Sequence, residues 1–187
     1  WIKGENIMPL PMVHLSVAVK IGTLQGLKSP EFYLGSISPD AVHMCTGFVR
    51  DDKTRSHCNA RILASIDELD SLCVIIEKSV GKEREFLLGY LVHILTDLFW
   101  EDTILKTHRE RYEADQTPIQ DKRMAYYNDT DQLDFVFYEK EDWRPGIWEM
   151  LTQAKAFAVE DAVNTDEVSA WKHRTLNWYN SGKSQHT

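Results

Sequence analysis

The chain is poor in cysteine, glycine and basic charge, and it has no long uncharged apolar run. Each shortage excludes something. Cys45, Cys58 and Cys73 are the only cysteines, an odd number without a Cys-x-x-Cys pair. A disulfide framework is therefore not expected, and a reducing, cytoplasmic compartment is. Lysine and arginine number 21 against 29 aspartates and glutamates, a formal net charge of −8. The clustered cations that a nucleic-acid backbone demands are missing, so no nucleic acid is expected as a partner. The longest apolar stretch, Phe86 to Trp100, is 15 residues and contains His93 and Asp97, too short and too polar to span a bilayer. The opening residues, WIKGENIMPLPMVH, lack the continuous apolar core of a signal peptide. Gly35, Gly81 and Gly89 are isolated, so no glycine-rich loop is available to cradle a phosphate.

What is present reads as helix. Hydrophobic residues make up 43% of the 187, with six Trp, seven Tyr and seven Phe, enough for one well-packed domain over residues 1–187. Pro11 precedes a first helix over 12–21 that Gly22 should stop. Ser29-Pro30-Glu31 is a helix start, with Ser as N-cap and Pro as first helical residue. Residues 36–40 and the polar stretch 50–56 read as loops. Ile62, Ile66, Leu69, Leu72, Cys73 and Ile76 fall in steps of three and four, one apolar stripe of a helix over 59–80 with Gly81 as its stop. Further helices are expected over 83–113, 119–139, 146–160 and 166–179. Asp134 to Tyr138 is the only tempting strand. The fold class is all-α, a helical bundle.

The central segment, Phe86-Leu-Leu-Gly-Tyr-Leu-Val-His93-Ile-Leu-Thr-Asp97-Leu-Phe-Trp100, is apolar on nearly every face, the pattern of a helix buried on all sides. His93 and Asp97 are four apart and share one face of it. A buried carboxylate costs several kcal/mol unless compensated. A divalent cation compensates it directly, and His with Asp suits zinc. A hydrogen-bonded Asp97–His93 pair, or Asp97 beside a buried arginine, explains the same pattern. Other candidates carry their own plain readings. His14 lies among apolar neighbours and could be a satisfied core residue. Asp40 follows Pro39 and could cap a short helix. His43 lies one turn further on. His57 follows a polar stretch and could be a surface residue.

Taken together, Met8-Pro-Leu-Pro-Met-Val-His14, Phe32-Tyr-Leu-Gly-Ser-Ile-Ser-Pro-Asp40-Ala-Val-His43, Ser56-His57 and Phe86-Leu-Leu-Gly-Tyr-Leu-Val-His93-Ile-Leu-Thr-Asp97 resemble the zinc-dependent phospholipase C family, most closely its intracellular bacterial branch. The resemblance covers residues 8–101, with 102–187 as a divergent helical part. It implies a bundle of the phospholipase C/P1 nuclease fold and a zinc centre that activates water for phosphodiester hydrolysis. It implies His14, Asp40, His57, His93 and Asp97 as metal ligands, with Asp97 a candidate to bridge two ions. Residues 98–187 contain no His-x-x-x-Glu pair, Thr103 stands where a further histidine is expected, and His108 is displaced. One or two zinc ions are therefore expected instead of three. The N-terminal tryptophan that secreted members use has a counterpart in Trp1, and Glu101, one turn past Asp97, is a further ligand candidate or a solvated helix end.

The expected function is metal-dependent hydrolysis of a small phosphoester. Asp40 would act as ligand and water-orienting base, and His43 would lie behind a ligand or face the substrate. One rival is an HD-like nucleotide phosphohydrolase, against which counts the lack of any adjacent His-Asp dipeptide. Another is a helical binding or scaffold module, with Trp143, Trp148, Trp171 and Trp178 as either a partner surface or aromatic core.

Overall fold

The computed structural model describes residues 10–60, 63–114 and 118–180. These are helical: α1 (Pro11–Gln25), α2 (Pro30–Gly35), a 3₁₀ turn (Pro39–Met44), α3 (Arg50–Ser56), a second 3₁₀ segment (Leu63–Leu69), α4 (Asp70–Lys78), α5 (Gly81–Trp100), a π segment (Glu101–Leu105), α6 (Lys106–Ala114), α7 (Ile119–Lys140), α8 (Arg144–Gln153) and α9 (Thr165–Asn180). Among the described residues the only β pairing is a bridge between Val159 and Val163. The all-α reading holds. No described helix is long and apolar enough to cross a membrane.

Local chemistry sets several boundaries. Pro11 opens α1, and Gly26 closes it in the left-handed region at φ 73°. The Ser29 hydroxyl accepts the Phe32 N–H, and Pro30 is the first residue of α2. Asn164 and Glu167 cap α9 reciprocally: each side chain accepts the other's backbone N–H, at 2.9 and 2.8 Å.

Helix α5 is the axis of the molecule, with Phe86, Tyr90, Ile94 and Leu98 all buried. Helix α2 lies against it through two glycines. A Cβ on Gly35 would sit 2.0 Å from the Phe86 carbonyl oxygen, and one on Gly89 would sit 2.0 Å from that of Phe32. The two backbones touch where neither residue has a side chain, and this contact carries the Pro39–Met44 turn onto the flank of α5. Helix α9 packs over that turn, and α7 packs along α1.

Some expected elements are corrected. Residues 50–56 form α3 instead of a loop: Asp52 accepts the Val49 N–H at 2.8 Å and pairs with Arg55, so its own polar side chains hold it. The helix expected over 59–80 is divided. Ser65 is non-helical, and α4 starts only at Asp70. Of the stripe, Leu69, Leu72 and Ile76 are buried, Ile66 is exposed, and Ile62 lies outside the described residues. Gly22 lies inside α1, and Gly81, at φ 58°, begins α5 instead of merely ending the preceding helix. The helix expected over 83–113 changes register through the π segment. The one expected over 146–160 stops at Gln153, and the chain continues irregularly to the Val159 bridge. Asp134 to Tyr138 belongs to α7.

Candidate metal centre

Four elements deliver the candidate ligands to one point. Helix α1 brings His14, the first 3₁₀ turn brings Asp40, the end of α3 brings His57, and α5 brings His93 and Asp97. His14, His57, His93 and Asp97 are each at most 2% exposed, and Asp40 is 8% exposed. His57 Nε2 lies 3.0 Å from Asp97 Oδ2, His14 Nε2 lies 3.4 Å from Asp97 Oδ1, and His93 Nε2 lies 3.5 Å from Asp97 Oδ2. Asp40 stands one step out, 3.9 Å from both His57 Nε2 and His93 Nε2. The His14 and His93 rings stack with centroids 3.7 Å apart.

Backbone carbonyls orient two of the imidazoles. His93 Nδ1 donates to the Ser36 carbonyl at 2.9 Å, and His57 Nδ1 meets the Lys53 carbonyl at 2.9 Å. Both bonds turn Nε2 inward with its lone pair available, the tautomer that metal-bound histidines adopt. Ser36 is in place because the Gly35–Gly89 contact sets α2 on α5.

The electrostatics follow from burial and the close carboxylates. Burial, reinforced by neighbouring His93, pushes the His14 imidazole down to about 3, so it is neutral across the physiological range. Burial also lowers His57. Burial works against a charged His93, but Asp97, Asp40 and the Ser36 carbonyl together outweigh it and raise that group. For Asp97, burial favours the neutral acid, yet His93 and His14 beside it hold the carboxyl well below its ordinary value. Burial acts the same way on Asp40, where Lys53, then His93 and His57, prevail and keep it ionised.

The donor set fits a transition metal. Two groups, His14/Asp40/His93 and His57/His93/Asp97, each place three ligand atoms within 4.8 Å of one another. His14 Nδ1 and Nε2, His93 Nε2 and Asp97 Oδ1 are buried without a hydrogen-bond partner. Unsatisfied polar atoms in a dry core are costly, and a divalent cation among three imidazoles and two carboxylates would engage one nitrogen of each ring and the free carboxylate oxygen together.

His43 stands at the open side. Its side chain is 32% exposed, and Nε2 lies 3.9 Å from Asp40 Oδ1. Phe48 and Trp171 flank the ring at 4.6 and 6.1 Å. Glu101 is not brought in, for it pairs with Arg109. His108 packs edge-on against Tyr126 in a separate small cluster, and Thr103 is exposed. Trp1 lies outside the described residues. Trp171 is buried, and Trp143, Trp148 and Trp178 pack partly buried against the core, so the four tryptophans are core material.

Lys53 escaped the sequence reading. It projects from α3, largely buried, and its Nζ donates to Asp40 Oδ1 at 3.0 Å. The signal for it in the sequence is its position four residues before His57, one helical turn away along α3. Asp134 and Tyr179 were missed too. Asp134 Oδ1 accepts the Met12 N–H at 2.9 Å, Tyr179 donates to Oδ2, and α7 and α9 thereby anchor the start of the helix that carries His14.

A family described as zinc dependent phospholipase C matches residues 12–186, nearly the whole described chain and well beyond the 8–101 region of motif resemblance. No curated protein and no solved structure matches.

Proposed function

Because the chain belongs to the zinc-dependent phospholipase C family, and is thus a zinc-dependent hydrolase of the phospholipase C type, we propose that it hydrolyses a small phosphoester at the His14/Asp40/His57/His93/Asp97 cluster. The observation that supports this most is the convergence of five side chains from four elements, with buried ligand atoms of His14, His93 and Asp97 left without a hydrogen-bond partner. Zinc, when bound, supplies Lewis acidity that acidifies water and withdraws charge from phosphoryl oxygens. In this reading His14, His57, His93 and Asp97 hold the ion. Asp40, kept ionised by Lys53, orients the attacking water through whichever of its oxygens faces it. His43, neutral because burial lowers it, receives or returns a proton at Nε2 on the solvent side. Phe48, exposed beside the His43 ring, confines substrate to that side. The free thiols of Cys45, Cys58 and Cys73 support action in a reducing, cytoplasmic setting. We further propose that residues 1–187 act as one domain, since one core cluster draws on helices from α1 to α9.

The test is a panel of phosphodiesters and phosphomonoesters assayed with zinc-loaded protein. Turnover that chelator abolishes and zinc restores is expected. A fully loaded protein that turns over nothing in the panel refutes the catalytic reading.

A further inference from the structure

The cluster contains a cation that is not a metal. Lys53 reaches into it from α3 with its side chain only 13% exposed, and its ammonium lies 3.0 Å from Asp40 Oδ1. A lysine side chain ordinarily keeps its charge in water, so its placement here has a consequence for any ion bound beside it.

Two features limit how many ions the centre can take. The first is ligand count. The two candidate groups share His93, and its Nδ1 is committed to the Ser36 carbonyl. One nitrogen, Nε2, remains, and one lone pair serves one ion. The two groups therefore converge on one ion, and a second ion would have to be held without His93. The second is charge. Asp40 and Asp97 carry two negative charges and Lys53 carries one positive, so the centre is −1 before metal. One divalent ion brings it to +1, a fit for an anionic phosphoester. A second ion would bring it to +3 inside a dry core, where like charges a few ångströms apart repel strongly.

We propose that Lys53 is a resident cation of the metal centre. It neutralises Asp40, takes the place of a second divalent ion, and limits the chain to one zinc held by His93 with the Asp97 side of the cluster. This rests on the metal-centre reading above and adds a stoichiometry and the residue that sets it. Losing Lys53 uncovers Asp40 as a ligand and removes one repelling charge.

The experiment is zinc counting by native mass spectrometry and elemental analysis, with zinc titrations by calorimetry. The proteins are the wild type, Lys53→Met and Lys53→Gln, the last keeping a polar group toward Asp40. Wild type is expected to hold one zinc and both variants two. The first zinc should bind at least about tenfold more tightly in the variants, from one unit of positive charge withdrawn near the ion. The double variant Lys53→Met/Asp40→Asn should return to one. Two ions in the wild type, which needs no variant to fold, overturns the proposal. So does one ion with unchanged affinity in both lysine variants. Zinc bound by none of the proteins refutes the metal centre itself, a distinct failure.

Discussion

Asp97→Asn keeps the side chain's shape and removes its charge at the point where three imidazoles meet, at 3.0, 3.4 and 3.5 Å. If those groups hold zinc, the loss falls on zinc-dependent stability. Free zinc at about a thousand times Kd stabilises a folded protein by about 4 kcal/mol. For a chain of 187 residues, each kcal/mol moves Tm by roughly 2–4 °C, so wild type should gain roughly 8–16 °C on loading. Removing a group that merely supports a ligand weakens metal binding about 10–100-fold, so replacing a charged ligand should cost at least about 100-fold. At the same zinc concentration the variant then keeps only about 1.4 kcal/mol, and its gain falls to roughly 3–6 °C. Differential scanning calorimetry with and without zinc, on both proteins, reads this directly. Comparing zinc-induced gains cancels whatever the substitution does to the apo fold. A variant that keeps the full gain while its apo form loses about 3–5 kcal/mol, the cost of breaking a structural buried pair, would refute the metal reading of Asp97.

Three other outcomes are expected. Gly89→Ala should destabilise by about 3 kcal/mol or more, because its Cβ would lie 2.0 Å from the Phe32 carbonyl oxygen; a urea midpoint that barely moves would mean α2 slides freely on α5. Burial raises the Asp134 carboxyl to about 7, so between pH 4 and 7 the folded protein keeps a proton that the unfolded chain has lost. Its contribution is therefore fully present below pH 4 and is lost as pH rises through 7, about 4 kcal/mol in all. Asp134→Asn should abolish that part of the pH dependence in chelator-treated protein, measured by denaturation at pH 5 and pH 8, and identical pH slopes would disprove it. His93→Ala should abolish zinc uptake by elemental analysis, since both candidate ligand groups need its Nε2; undiminished zinc would place the ion elsewhere.

Local sequence determined much of this protein. The all-round apolar character of Phe86 to Trp100 could only be a buried helix, and the four-residue step from His93 to Asp97 put both on one face of it. Ser29-Pro30 opened α2 as the residues themselves prescribe, and the helices over 119–140 and 165–180 lay close to where periodicity placed them. His14, Asp40 and His57 were legible as candidates, but each had an adequate plain explanation in its own segment. Tertiary structure brings these segments to one point, with His14 and Asp97, more than eighty residues apart in sequence, within 4 Å of each other. It also decided what no local pattern encodes. A polar run reads as a loop until one knows that Ser56 and His57 are buried, so α3 and the inward reach of Lys53 were hidden. The π segment preserves helical periodicity well enough to escape detection. The Gly35–Gly89 contact and the Asp134 anchor on Met12 are contacts between distant backbones and side chains. Their energies come from atoms that meet only after the chain has folded, so no window of sequence contains them.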